Sequence, residues 1–359
     1  MQLKDKKRTV LSNVSFITTI FNEEGNIDVF LKSLMEQTCL PCEIIVVDGG
    51  SKDRTFEIAQ DFFKKRALGK GNGFRITLNG SRNKIKESKN NVHTVNVRLV
   101  KKTGANISQG RNNAIKNTSG EIICVSDAGC ILDKNWLKEI TVFHNDGSYS
   151  VVGGVSLPFC RNFLQKCLAV CIMPSEKEIK AKKYMPSSRN ISFKKKIWAG
   201  TGGYPEDMDY GEDMRFNFNV RAAGYRIRFN PKAVVYWKMR ENHLQIFRQF
   251  FRYAKGDASG RMYLNRHIIR FTSFLVFVII LIGAFYLSKW VLVILIPLFG
   301  AYVFKPYSRL IKNLNGMGSC KFTRAEILLS ILFIPLLLLQ IDFSKMCGYL
   351  YGLLKNIIK

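Results

Sequence analysis

Four short stretches of this sequence hold residue types that can do chemistry. Asp48-Gly49-Gly50-Ser51 follows the apolar run Glu43–Val47, which puts a carboxylate on a sharp turn at the end of a buried strand. There it can accept a hydrogen bond from a ring N–H or a hydroxyl. Asp127-Ala128-Gly129 follows a second apolar run, Glu121–Ser126. A carboxylate in that place suits a hard divalent cation that also takes phosphate oxygens. Gly110-Arg111-Asn112-Asn113 sets a guanidinium fork at a helix start, where a phosphate is favoured. Gly211-Glu212-Asp213-Met214-Arg215 places adjacent acids beside an Arg, ahead of a helical stretch to Ala222, and suits a general base. Each has a plainer reading. Asp48 and Asp53 serve as turn and helix caps, Asp127 as a cap, Arg111 as a solvated cation, and Glu212 and Asp213 as acids favoured by a helix dipole. The chemical reading requires that the chain bring these stretches together.

The surrounding pattern supplies elements able to do that. Val14–Ile20 is β-rich, and Asn26–Gln37 carries Ile27, Phe30, Leu31 and Leu34 at helical spacing. Glu43–Val47 reads as a buried strand and Thr55–Arg66 as a helix; Arg111–Asn117 (helix), Glu121–Ser126 (strand), Trp136–Phe143 (helix) and Ser150–Val155 (strand) follow. This alternation predicts an α/β fold with a largely parallel sheet flanked by helices, and ligands bind such sheets at the carboxyl ends of the strands. Asn22, Glu23, Asp48 and Asp127 all fall at such ends. Residues 67–98 interrupt the pattern as a long basic loop, with a short hairpin expected between Arg75–Leu78 and Thr94–Val100.

The chain has 359 residues, with 55 Lys and Arg against 27 Asp and Glu, a formal charge of +28. That charge calls for a polyanionic partner, a membrane surface or both. A mean hydropathy of −0.01 is high for so charged a chain and implies apolar residues gathered into blocks. Three such blocks lie at 268–287, 290–304 and 327–342, with Pro297 and Pro335 inside the second and third. A bilayer core takes about 20 apolar residues; the first block reaches that from Ile268, while the second and third are short and read as kinked spans, a tight hairpin or a re-entrant pair. Arg261, Arg266 and Arg270 precede the first block, and Lys305, Arg309, Lys312, Lys321 and Arg324 separate the second from the third. Both flanks are expected to be cytoplasmic. Three full spans would then put Lys345, Lys355 and Lys359 outside, against the same rule. No apolar run of signal length follows the basic Met1–Arg8, so the first domain is expected in the cytoplasm. The expected division is a domain at 1–240, an amphipathic interfacial region at 241–267 and a membrane domain at 268–359. Phe163–Met173 is a second interfacial candidate.

The order and spacing of seven stretches resemble the family 2 glycosyltransferases. They are V-S-F-I-T-T-I-F-N-E-E (14–24), E-I-I-V-V-D-G-G-S-K-D-R-T (43–55), G-R-N-N-A-I (110–115), G-E-I-I-C-V-S-D-A-G (120–129), S-S-R-N-I-S-F (187–193), G-G-Y-P-E (202–206) and G-E-D-M-R-F-N-F-N-V-R-A-A-G-Y-R-I (211–227). The resemblance implies a GT-A fold, an inverting single displacement and a UDP-, GDP- or dTDP-sugar donor. It implies that Thr19, Glu23 and Asp48 hold the nucleotide and that Arg111 faces the diphosphate. Asp127 would be the first Asp of a D-x-D motif binding Mg²⁺ or Mn²⁺. Arg189 and Asn190 would line the donor-sugar pocket, and Asp213, with Glu212 beside it, would deprotonate the acceptor. Gly129 stands where D-x-D has its second Asp, so one metal ligand is missing and the strictness of the metal requirement is open. Gly49 likewise replaces an Asp common after Asp48. Gln249-Phe250-Phe251-Arg252-Tyr253 is similar to the Q-x-x-R-W motif of processive members, which places Gln249, Arg252 and Tyr253 near the acceptor.

The reading is therefore a membrane-anchored transferase acting on a lipid-linked or cell-surface glycan. A processive polysaccharide synthase and a basic nucleic-acid-binding membrane protein are the alternatives, and a nucleotide-sugar-binding scaffold without activity is a third. The first has few membrane segments for an export channel. The second has spread charge and no nucleic-acid motif, so no nucleic-acid partner is expected. Cys39-Leu40-Pro41-Cys42 lacks the second pair that a zinc site needs and is read as structural.

Overall fold

The computed structural model describes residues 8–68, 74–78, 93–144, 149–312 and 318–358. The chain forms two compact units. The first comprises Met1–Leu157 and Lys180–Trp237, and the second Pro158–Ile179 and Lys238–Lys359. Pro158–Ile179 lies before the end of the first unit in sequence but belongs with the second. It is held there by Lys166 on Glu326 (2.8 Å) and Arg309 on Glu178 (3.0 Å).

The first unit is built on nine strands: β1 (Thr9–Ile20), β2 (Cys39–Asp48), β3 (Phe74–Leu78), β4 (His93–Lys101), β5 (Ile122–Val125), β6 (Cys130–Leu132), β7 (Val151–Phe159), β8 (Ile191–Lys194) and β9 (Ile227–Lys238). Their order is β3-β4-β2-β1-β5-β8-β7-β9-β6. β1, β2, β3, β4 and β5 pair in parallel, while β8 runs antiparallel to β5 and β7. The sheet is thus mixed. β3 and β4 exist as expected, but they pair in parallel and form no hairpin. A parallel pair needs a connection of about a dozen residues or more, and 79–92, which lie outside the described residues, separate them. The rest of the expected 67–98 loop at 69–73 also lies outside the described residues.

Alternation along the strands explains the two cores. Phe16, Ile44 and Val46 pack on one face with helices α1 (Ile27–Met35), α2 (Thr55–Leu68) and α4 (Trp136–Thr141). Ile17, Ile45 and Val47 pack on the other with α3 (Ile107–Lys116), α6 (Lys195–Gly200) and α7 (Glu212–Ala222). Every residue of β2 is buried, as a parallel strand covered on both faces must be. From β1 the chain steps to β2 on one side and later returns to β5 on the other. That reversal opens a crevice at the carboxyl ends of β1 and β5.

The second unit is helical: α5 (Phe163–Ile172), α8 (His243–Ser259), α9 (Leu264–Tyr286), a 3-10 turn Lys289–Ile294, α10 (Leu295–Lys312) and α11 (Arg324–Ile358). The helices at 264–286, 289–312 and 324–357 are each long and apolar enough to cross a membrane. They run beyond the expected blocks; Pro306 lies inside α10 and Pro335 inside α11. Cys160 and Cys320 are joined as a disulfide with Cα atoms 5.3 Å apart. In a reducing compartment they would stand as neighbouring thiols.

Candidate active site

Three loops meet where β1, β2 and β5 end. After β1, Asn22 takes a left-handed backbone (φ 54°) and locks onto the loop after β2: its N–H donates to Ser51 Oγ (3.0 Å) and its Oδ1 accepts from Lys52 N–H (2.9 Å). Glu23 N–H donates to Thr55 Oγ1 (2.7 Å), and the Glu23 carboxylate accepts from Asn26 (2.6 Å). Asp48 is fully buried, and its oxygens accept from Gly50 N–H (3.1 Å) and from the N–H and hydroxyl of Ser51. Asp53 accepts from Thr55 N–H (3.1 Å) at the start of α2. The cap reading of both residues is therefore realised. The Asp48 carboxylate thereby shapes the Gly49–Ser51 turn at the end of β2.

The α3 helix delivers the central residue. Asn106 caps it reciprocally with Gln109, and Gly110 permits close approach to β1, since a Cβ there would stand 2.8 Å from Thr19 Cγ2. One position on, Arg111 is only 1% exposed. One terminal nitrogen donates to Asp127 (2.8 Å) and the other to Glu212 (2.5 Å). The guanidinium thus pairs with two carboxylates. Burial works against its charge, but Asp127 and Glu212 outweigh that and raise its pKa. Tyr204 completes the enclosure, with its ring 5.3 Å from the guanidinium, its face stacked on Phe216 and its hydroxyl 2.9 Å from Ser188 Oγ.

Glu212 and Asp213 open α7 after Gly211, whose φ of 78° favours glycine. Glu212 is buried. Burial pushes its carboxyl up to about 7; Arg111 pulls down and Asp213 pushes up. Asp213 is half-buried, with Oδ1 accepting from Met214 N–H (2.8 Å) and Oδ2 from Ser188 N–H (3.4 Å). Asp127 is one-third exposed at its side chain and turns one oxygen to Arg111. No group of three or more metal-ligating side chains occurs among the described residues. Asp127 nevertheless keeps a second oxygen, and a cation held with diphosphate needs about one or two protein carboxylates. Space around Gly129 is open, so the missing ligand reflects residue choice and not crowding.

The donor-pocket pair divides. Arg189 stacks its guanidinium 3.7 Å from the Trp237 ring, and its carbonyl accepts from Ser126 (2.8 Å) beside Asp127. Asn190 is buried and ties Val155 O (2.8 Å), Ala233 O (2.9 Å) and Trp136 Nε1 (2.8 Å) together. Gln249, Arg252 and Tyr253 lie on α8 in the second unit, where Gln249 accepts from Arg240 Nε (2.9 Å) and donates to the Tyr253 hydroxyl (3.1 Å).

Asn112 was given no role from sequence. Its Nδ2 donates to Tyr204 O (2.8 Å) and Glu206 (2.9 Å), and its Oδ1 accepts from Trp198 Nε1 (2.8 Å) and Tyr204 N–H (3.0 Å). It anchors the Gly202–Gly203 loop that leads to α7. Its place immediately after Arg111 was the only signal. Cys39 and Cys42 are buried thiols whose pKa values burial pushes up, to about 11 and about 12.

The mixed sheet thus has a crevice at its switch point that holds an Arg between a strand-end Asp and a helix-start acid pair. Two family models match this chain. The model for glycosyl transferase family 2 matches residues 15–169, and that for glycosyl transferase family group 2 matches residues 122–305, half of the chain. The chain belongs to the family 2 glycosyltransferases and is a transferase of GT-A fold. It is 23% identical to the glycosyltransferase AglE of Haloferax volcanii over 80% of this chain and 83% of that protein. It is also 23% identical to the O-antigen chain rhamnosyltransferase RfbN of Salmonella typhimurium, over 62% of this chain and 65% of that one. Among solved structures it is similar to a mannosyltransferase of Pyrobaculum calidifontis in complex with GDP-Man and Mn²⁺, at 15% identity and a TM-score of 0.49, over 96% of this chain and 87% of that one.

Proposed function

We propose that this enzyme sits at a membrane and transfers a sugar, with inversion, from a nucleotide-sugar to a hydroxyl or phosphate of a lipid-linked or cell-surface glycan. The observation that carries this reading is the meeting of Arg111, Asp127, Glu212 and Asp213 at the ends of β1 and β5. Asp213, half-buried beside Ser188, takes the proton of the acceptor oxygen as that oxygen bonds to the anomeric carbon. The bond from that carbon to the phosphate oxygen breaks, and the nucleoside diphosphate leaves with its electron pair. Arg111 holds Glu212 beside the base and aims Asp127. The loops after β1 and β2, shaped by Asn22 and Asp48, form the nucleotide pocket with Thr19 and Glu23, and Arg189 borders the sugar. Asp127 would hold a divalent cation, which offsets charge on the departing diphosphate when bound. The catalytic unit faces the cytoplasm, in keeping with the Lys and Arg that flank the apolar helices. The chemistry named for RfbN, a sugar added to an O-antigen chain, is the kind of acceptor this reading favours.

The test is nucleotide release from a panel of UDP-, GDP- and dTDP-sugars by the purified full chain with membrane lipids. Release with one donor, coupled to a glycosylated lipid product, supports the reading. Salt-dependent nucleic-acid binding with no donor binding would overturn it.

A further inference from the structure

The second unit has three helices of membrane-crossing length, yet its internal contacts are incompatible with three crossings. Helices α9 and α10 form a hairpin that turns at Ser288–Lys289. Arg270 lies sixteen residues before Tyr286, about 24 Å from the turn at about 1.5 Å per residue. Tyr302 lies seven residues after Leu295, with the six-residue 3-10 turn before that, again about 22 Å from the tip. Both reach one carboxylate on α11: Arg270 Nε donates to Asp342 Oδ1 (2.7 Å), and the Tyr302 hydroxyl donates to Asp342 Oδ2 (2.9 Å). Asp342 is therefore pinned at the base of the hairpin.

On either side of Asp342, the next contacts of α11 step farther from the tip. Toward its start, the Ile331 carbonyl accepts from Tyr307, which is five residues farther from the tip than Tyr302. Toward its end, Tyr349 stacks on His267 at 3.9 Å, three residues farther from the tip than Arg270. A helix running alongside the hairpin would approach the tip on one side of Asp342. Because α11 does so on neither side, it crosses the base of the hairpin.

The exposed residues of α11 carry the same conclusion independently. Leu329, Leu332, Leu336, Leu339, Phe343, Leu350, Leu354 and Ile357 are 50% or more exposed and repeat at helical spacing along one face. That stripe is about 42 Å long, whereas a bilayer core is about 30 Å thick. The opposite face is closed by α8. Gly348 and Gly352 bring the two helices together, since a Cβ at Gly348 would overlap Phe251 O at 2.1 Å. His243 and Gln340 join one end of this pair, and Asn356 Nδ2 and Ala258 O (3.1 Å) the other. Phe247 and Phe251 of α8 extend the apolar stripe beside Phe343 and Tyr351.

We propose that α8 and α11 lie together in the plane of one lipid leaflet, as a headgroup-level platform, and that only α9 and α10 enter the bilayer. The occupant of the exposed stripe is the acyl boundary of that leaflet, with Arg248, Arg252, Arg261, Arg266 and Lys355 set for anionic headgroups. The two-crossing arrangement keeps Lys321 and Lys355 on one side and removes the charge conflict that three spans would create. The inference goes beyond sugar transfer and uses the second unit alone, so its test is separate from any activity assay. Sealed vesicles of each orientation, holding the unmodified chain, are treated with a membrane-impermeant amine reagent and mapped by peptide mass spectrometry. Lys321 and Lys355 are expected to be modified in the same orientation and Lys289, at the hairpin tip, in the other. Modification of Lys355 only in the orientation opposite to Lys321 would overturn the platform.

Discussion

Replacing Arg111 with Met tests the core of the site, because it removes the charge while keeping much of the side-chain volume. Arg111 is buried between Asp127 and Glu212, and the variant leaves two carboxylates facing each other without their common partner. Removing one member of a buried ion pair costs about 3–5 kcal/mol. Protonation limits that cost. Glu212 already stands at about 7, and Arg111 is its main downward influence, so in the variant its value rises further. The folded protein then holds a proton that the unfolded chain, with an ordinary glutamate value of about 4.3, has released. Between those two values stability must fall as pH rises. At pH 8, where Glu212 is pressed toward ionisation, we expect a loss of about 3 kcal/mol; at pH 5.5, where it is protonated, about 1 kcal/mol. For a unit of this size these correspond to apparent melting shifts of about 6–12 °C and about 2–4 °C. Thermal unfolding of the full chain in detergent at both pH values reads this out. An unchanged melting temperature at pH 8, or an equal drop at both pH values, would refute the account of Arg111 as the buried tie between the two acids.

Three further outcomes follow from the same geometry. Asp213→Asn is expected to lower transfer by about 10²–10⁴ while donor affinity, measured by calorimetry, stays within a few-fold; near-normal turnover would remove Asp213 as base. Asp127→Ala should weaken donor binding in the presence of Mn²⁺ and make it insensitive to EDTA, whereas wild-type binding that ignores EDTA would remove the cation from the site. Asn112→Ala strands the Trp198 N–H and the Tyr204 backbone, each such loss costing about 1–3 kcal/mol; acceptor KM should rise more than kcat falls, and a uniform loss of folded protein would instead mark Asn112 as purely structural.

Much of the first unit was legible because each signal was local. Apolar runs of strand length, helical spacing in 27–34 and Gly-rich turns placed β1, α1, β2, α2, α3 and β5 within a few residues. A carboxylate at the end of an apolar run needs no tertiary information to be found, and so Asp48, Asp127 and the Glu212–Asp213 pair stood out. Strand direction was less legible. The pairing of β3 with β4 was misread because the residues of a strand do not state their partner's direction, and only the crossover does.

What side chains do with their polar atoms was decided by packing. For Arg111 the sequence shows the charge and not the burial; folding brings Glu212 from 101 residues away onto one of its terminal nitrogens. Asn190, expected at the sugar pocket from the family resemblance, stands just before β8, and its amide engages Val155 and Ala233. Asn112 was silent because an amide anchor has no compositional mark. In the second unit, hydropathy counts apolar residues along a helix and cannot see its direction. The amino-acid sequence by itself determined the family, the strand-end acids and the existence of three long apolar helices. Only the tertiary structure decided which acids share one cation, which polar residues hold loops, and that α11 crosses the hairpin at Asp342, because each of these depends on contacts between residues far apart in the chain.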